Sequence, residues 1–314
     1  TFLYTTDGTS SKTITNNIDL SGEGGLAWLK SRSISYSHSL YDTERGVQKQ
    51  LQTDATTAES TETGGLTAFT STGFTIGNVQ NQSALGDMVA WTFRKAPKFF
   101  DVIDHTQTGS EPSTVTLNHN LGCDVGMIIA KVYSHTNAWV VWHKDLGSNY
   151  AMDFSTGAKS YFGGTGISTS STQITIPGSW VHAGYDSQNT IIYLFAHNNN
   201  DGEFGPDGDA DIIKCGTCSG ETGSNRDIDL GFEPQFIITK AVDTTGDWRL
   251  LDNMRGWLAN PKVNSTYLNS RLEPNTSDAE SGDDTVYIKP NGFYVNGLPG
   301  SGTYIYMAIR RGPL

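Results

Sequence analysis

The strongest constraint on this chain is that it states one plan three times. Residues 30–46 read KSRSISYSHSLYDTERG, residues 131–147 KVYSHTNAWVVWHKDLG, and residues 240–256 KAVDTTGDWRLLDNMRG. Counting from the leading lysine, position eight is His38, Trp139 or Trp248, and position ten is Leu40, Val141 or Leu250. Position twelve is Asp42, His143 or Asp252, and position sixteen is glycine in every copy. The lysine always closes an apolar run: GLAWLK, GMIIAK, QFIITK. Copies one and three agree further, with LQTDATTAES at 51–60 against LEPNTSDAES at 272–281. Several marks held at fixed spacing across three copies identify a duplicated supersecondary unit. The units run over residues 1–100, 101–210 and 211–314.

Each unit reads as β structure. Opening segments such as TFLYTTDG and TITNNIDL alternate apolar and polar residues, as half-buried strands do. The runs ending in the lysine are continuous, apolar and too short for helices, so they are expected to be central strands covered on both faces. A Ser/Thr/Asp/Gly loop follows, then a return strand: SLYD, VVWH or RLLD. Strand alternation puts positions eight, ten and twelve on one face, the first two buried and the Asp at the rim. There the carboxylate can bond its own backbone and the following glycine can take a positive φ, so D-x-x-R-G is read as a turn. About seven short strands per unit fit a small antiparallel β-sandwich. The expected fold is all-β: three tandem, tightly packed, antiparallel sandwich-like repeats, because VAWTFRKAPKFFDVIDH joins copies one and two without a flexible linker. A ring and a row of units both satisfy this pattern.

Composition narrows the partners. Thirty-three acidic against 21 basic side chains give a net charge of −12, which opposes a nucleic-acid-tracking surface. No apolar run approaches a membrane span, so no membrane insertion is expected. Three cysteines are too few for a disulfide framework, which favours synthesis in a reducing compartment. The chain opens on Thr, so the true amino terminus is expected to lie elsewhere.

Candidate chemistry is sparse. In NNNDGEFGPDGDADIIKC, the carboxylates of Asp201, Asp207, Asp209 and Asp211 are of the type that holds Ca²⁺. Ile212 and Cys218 stand where an EF-hand needs Gly and Glu, so that motif is excluded, and the plain alternative is a solvated connection. No cofactor is required otherwise. Cys215 and Cys218 form one C-x-x-C without a second pair, which favours buried thiols over zinc. Glu59 and Glu280 occupy equivalent positions in separate copies, an arrangement better suited to shaping a loop than to paired acid–base work. No nucleophile-elbow, zincin or P-loop pattern occurs, so the chain is expected not to be an enzyme. Trp180, Trp257 and Tyr267 lie in segments without counterparts across copies. They are the candidates for exposed glycan or protein contact, against ordinary loop packing.

Several phrases carry a resemblance: VAWTFRKAPKFFDVI, HNLG, NNNDGEFGPDGDADIIKCG, LGFEPQFIITK and YIYMAIRRGP. They resemble a repeat of virion structural proteins of tailed bacteriophages, especially phages of marine bacteria and cyanobacteria. Copy two departs most, with STQITIPGSWVHAG where the others carry a GF hairpin. The resemblance implies a tail-fibre or host-attachment component at the virion surface, assembled in the bacterial cytoplasm. Its partners would be other virion proteins, copies of itself and a host surface glycan. A capsid or tail decoration protein and a carbohydrate-degrading appendage are the alternatives. The resemblance assigns no catalytic residue.

Overall fold

The computed structural model describes residues 1–182, 184, 187–221, 226–259, 269–283, 285–299 and 302–312. Among them are 27 strands, nine in each unit, and a single short α-helix, Ser179–His182. Each unit holds a four-stranded antiparallel sheet with the lysine-terminated strand inside it. In unit one the order is opening strand Phe2–Thr5, closing strand Asp87–Arg94, lysine strand Gly25–Ser31 and return strand Ser39–Asp42. Unit two repeats this order with Phe100–Gln107, Gln188–Ala196, Val125–Val132 and Val140–His143. Unit three repeats it with Ile213–Ser219, Thr303–Arg310, Pro234–Ala241 and Arg249–Asp252. A three-stranded sheet packs on each, such as Ser11–Thr15, Gly73–Gly77 and Leu66–Thr70 in unit one. The two strands per unit beyond the expected seven form short ladders: Lys49–Gln50 with Ser60–Thr61, Tyr150–Ala151 with Ser160–Tyr161, and Asn269–Arg271 with Ser281–Asp283.

The lysine strands are apolar throughout because they have no solvent face. Leu26 and Trp28 point into a core shared by all three units, whereas Ala27 and Leu29 point into the core of unit one alone. Phe236 and Ile238 join the same shared core, and Ile237 faces the private core of unit three. In unit two both faces belong to the shared cluster. Aromatic rings dominate its centre. Phe154, on the loop after the return strand of unit two, meets Trp28 at 6.1 Å, Trp139 at 5.8 Å and Trp248 at 5.2 Å, one ring from each unit and all edge-on. Such pairs each add roughly 0.5–1.5 kcal/mol beyond the area they bury.

Three equivalent seams join the units, and together they close a ring. Two residues past each lysine, a backbone carbonyl accepts from a neighbouring loop: Glu59 N–H to Tyr133 (2.8 Å), Lys159 N–H to Val242 (2.8 Å) and Glu280 N–H to Arg32 (2.9 Å). These bonds run from unit one to two, two to three, and three back to one. At position six the amides of Tyr36, Asn137 and Gly246 donate to Ser277, Thr56 and Thr156 carbonyls. At position eight the side chains do the same. Trp139 Nε1–H reaches Gln52 O (2.8 Å), Trp248 Nε1–H reaches Asp153 O (2.8 Å), and His38 Nε2–H reaches Glu273 O (3.0 Å). The repeated marks are therefore seam residues, and the ring, not the row, is the arrangement adopted.

Position twelve corrects the expectation of a rim aspartate. Asp42 and Asp252 are both fully buried. Each carboxylate caps its turn by accepting the amide three residues on, from Arg45 (2.9 Å) and Arg255 (3.0 Å). Each also binds the Nε–H of that arginine, at 2.7 Å and 2.5 Å. The neighbouring unit adds a donor: Tyr193 O–H to Asp42 (2.8 Å), and Trp91 Nε1–H to Asp252 (3.0 Å). Glu59 and Glu280 close the arginines from the other side, at 3.1 Å and 3.3 Å. The turn itself is as expected, with Gly46, Gly147 and Gly256 at φ 88°, 91° and 100°. Unit two carries His143, Leu146 and Lys159 at the Asp, Arg and Glu positions, so the entire charge set is replaced together.

Removing one partner of a buried pair strands the other charge, at a cost of about 3–5 kcal/mol. Arg45→Leu is expected to lose that much in urea unfolding. The double variant Asp42→His/Arg45→Leu, which copies unit two, is expected to lose at least ~1 kcal/mol less than the sum of the two singles.

Candidate functional site

The residues singled out from sequence fall into three groups. Trp180 and Trp257 are not exposed contacts. Trp180 is buried on the short helix, edge-on to Phe162 at 5.8 Å, and Trp257 is buried with its Nε1–H donated to Val286 O at 3.0 Å. Trp180 belongs to the shared core and Trp257 to the private core of unit three. Tyr267 lies outside the described residues.

Two of the four candidate carboxylates in the acidic segment build the connection between units two and three. Asp211 accepts the amides of Asn200 (3.1 Å) and Gly202 (3.0 Å) and pairs with Lys214 at 3.1 Å. Asp201 accepts the Asn199 amide at 2.9 Å and pairs with Lys98 at 3.2 Å. Asp207 and Asp209 are exposed on the same loop. Among the described residues no three His, Cys, Asp or Glu side chains gather as a metal site. Cys215 and Cys218 share the strand Ile213–Ser219, and their odd spacing sends Cys215 into the shared core and Cys218 into the private core of unit three. Burial pushes the Cys215 thiol far up and that of Cys123 up to about 11.

The lysines used above as counting marks have a structural task of their own. Lys30, Lys131 and Lys240 are each at most 1% exposed, and each ammonium donates to the carbonyl of the next residue on its strand, with Lys30 and Lys131 also reaching carbonyls of the loop that follows. Lys131 is the most enclosed: Asn137 O at 2.7 Å, Val132 O at 3.0 Å, and Thr56 O of unit one at 3.1 Å. Lys30 reaches Ser31 O at 2.7 Å and Lys240 reaches Ala241 O at 3.0 Å. Burial lowers all three to about 8. A backbone carbonyl buried without a donor costs about 1–3 kcal/mol, which explains why an ammonium sits at the end of an otherwise apolar strand.

Two surface features stand out beyond these. A depression of about 360 Å³ opens between the loops of units one and two, lined by Thr53, Asp54, Thr56, Trp139, Asp153 and Phe154 among others. Its hydroxyl and carboxylate rim is polar, but Trp139 and Phe154 are buried, so little of either ring can be reached. The second feature is a pair of tyrosines on the short ladder of unit two. Tyr150 and Tyr161 face each other across the ladder, with ring centroids 5.4 Å apart and planes at 60°. Tyr161 is 65% exposed, the most exposed large apolar side chain among the described residues. Lys159 Nζ lies 5.3 Å over the Tyr150 ring and pairs with Asp243 at 3.2 Å. Sequence reasoning missed this pair: Tyr150 aligns with Lys49 and Ser270, two residues before Met152, Leu51 and Leu272, but only the ladder register sets Tyr161 against Thr61 and Gly282.

The fold and its seams define an all-β protein made of three duplicated sandwich units closed into a ring. A family model described as a domain of unknown function, DUF7483, matches residues 1–313, and the chain belongs to that family. Among curated proteins and among solved structures, none matches this chain.

Both seams of unit three contain a buried neutral histidine. His143 donates Nε2–H to Tyr306 O (3.0 Å) and accepts the Asp145 amide on Nδ1 (3.2 Å). His38 accepts Trp28 Nε1–H on Nδ1 at 2.8 Å while donating from Nε2 to Glu273. Either ring gains a proton only by turning an acceptor against an N–H. Burial lowers His143 to about 4 and His38 well below its ordinary value, and it also lowers His119 and His197. With folded values below the unfolded 6.5, the unfolded chain binds more protons, so this stability is present above pH 6.5 and is lost as pH falls towards 4. Urea midpoints are expected to fall between pH 6.5 and 4.5, before most carboxylates titrate. His143→Gln, weaker at pH 7, is expected to show a shallower fall over the same interval.

Proposed function

We propose that this chain is a non-enzymatic bacteriophage virion structural protein, a component of a tail fibre or host-attachment appendage. The observation that carries the reading is where the repeated residues act. The lysine, positions six, eight and twelve, Arg45 and Arg255, and the closing glycine all serve seams, cages or turns. Residues kept for shape across three copies suit a rigid building block of a particle. The resemblance of the repeat joins to tailed-phage virion proteins points the same way, and the acidic surface fits contact with other proteins or with a host glycan. Several copies on one appendage would raise avidity at a surface carrying many identical receptors.

Gold-labelled antibody against the chain, applied to particles of the phage that encodes it, is expected to mark the distal tail under electron microscopy. Label spread over the capsid would replace attachment with lattice decoration, and unlabelled particles would overturn the virion reading. Incubation with host polysaccharide is expected to release no new reducing ends; steady release would overturn the non-enzymatic part.

A further inference from the structure

The duplication supplies its own control for which surface residues the fold requires. At the same rung of the short ladder, two residues before Leu51, Met152 and Leu272, the cross-strand pair is Lys49/Thr61 in unit one, Tyr150/Tyr161 in unit two and Ser270/Gly282 in unit three. All three ladders pair antiparallel, so neither aromatic ring is needed to form that rung. In unit one Lys49 Nζ binds Thr61 Oγ1 at 3.0 Å, a polar solution fully compatible with water. Unit two instead holds two large rings at the surface, one of them 65% exposed, an arrangement that loses apolar contact and gains nothing for the core.

The surroundings of the pair indicate what it is shaped to receive. Gly163 and Gly164 both have positive φ, 70° and 65°, and a Cβ on Gly163 would lie 3.8 Å from the Tyr161 ring. Glycine there keeps the approach to the ring low. The rim is polar and short-reaching: Ser148 Oγ bonds Asn149 Oδ1 at 2.9 Å, Asn149 Nδ2 bonds Gly164 O at 3.1 Å, and Ser160 is exposed. The cation that lies over the Tyr150 ring, Lys159, is paired with Asp243. An exposed ring set at an angle to a second ring, with hydroxyls and amides around it, matches a ligand that has C–H faces and equatorial hydroxyls. The pairing of Lys159 and the net charge of −12 disfavour a polyanion.

We propose that Tyr150 and Tyr161 form a binding platform for a neutral saccharide, with one sugar face on Tyr161 and Tyr150 as its side wall. This deepens the attachment reading and rests on it. The test is saturation-transfer NMR on the intact chain with neutral glucan, mannan and galactan hexasaccharides, and with a sulfated galactan as the charged arm. One neutral hexasaccharide is expected to receive saturation at its ring C–H protons. Tyr161→Ala is expected to weaken it at least tenfold, Tyr161→Phe to retain it, and Lys49→Ala, at the matching rung of unit one, to leave it unchanged. Absence of binding by every neutral probe, binding by the sulfated probe alone, or equal binding by Tyr161→Ala would overturn the proposal. Self-association that Tyr161→Ala abolishes would also overturn it, in favour of a contact between copies. A chain found at the tail tip that binds no neutral sugar removes this site alone; a chain absent from particles removes the attachment reading.

Discussion

The seam between unit three and unit one is the interaction on which the rest of the structure depends. Units one and two, and units two and three, are joined by continuous chain; the third seam has only non-covalent bonds. Glu280 N–H to Arg32 O, Tyr36 N–H to Ser277 O and His38 to Glu273 O hold it, with the Arg32–Glu280 ion pair at 2.8 Å and Trp91 bonded to Asp252. Without that closure the apolar faces of three sheets would open to water. With it, Leu26, Met127 and Phe236 share one core, and a strand can be apolar on both sides.

Departures between copies are matched across the seams. Copy one has Trp28 with His38, where copies two and three have Ile129 with Trp139 and Ile238 with Trp248. The bulky ring moves between positions while the donor to the neighbouring carbonyl is kept. Strand register makes Trp91, Tyr193 and Met307 equivalent. Trp91 and Tyr193 carry an N–H or O–H, and each faces a carboxylate, Asp252 or Asp42. Met307 has no donor, and the residue at position twelve on its seam is His143, which turns to the Tyr306 carbonyl instead. Acceptor and donor have changed together, as buried polar groups require.

The repeat, the strands and their burial on two faces were legible because periodicity and fixed spacing report which side chains meet the core. The burial of Asp42 was not legible. A turn aspartate looks the same at a rim or in an interface until a second unit covers it, and the partner, Tyr193, lies 151 residues away. The task of the lysines is not legible either, since a charge closing an apolar run gives no sign of the backbone carbonyls that accept its hydrogen bonds in the fold. Trp180 and Trp257 were misplaced for a related reason: the lack of a counterpart in the other copies does not make a residue exposed, and both rings are buried in the cores. Tyr150 and Tyr161 went unseen because two-residue strands leave no periodic trace, and only their register sets them side by side.

Ring closure is tested most directly by native-state hydrogen exchange at the amides of Tyr36 and Glu280, which donate to carbonyls across the non-covalent seam. A closed ring predicts that they exchange as slowly as Asn137 and Glu59, their equivalents on the covalently bridged seam, and that all four open in one event. Exchange of Tyr36 and Glu280 at the rates of solvent-exposed amides, with Asn137 and Glu59 still protected, would show the three units to be an open row.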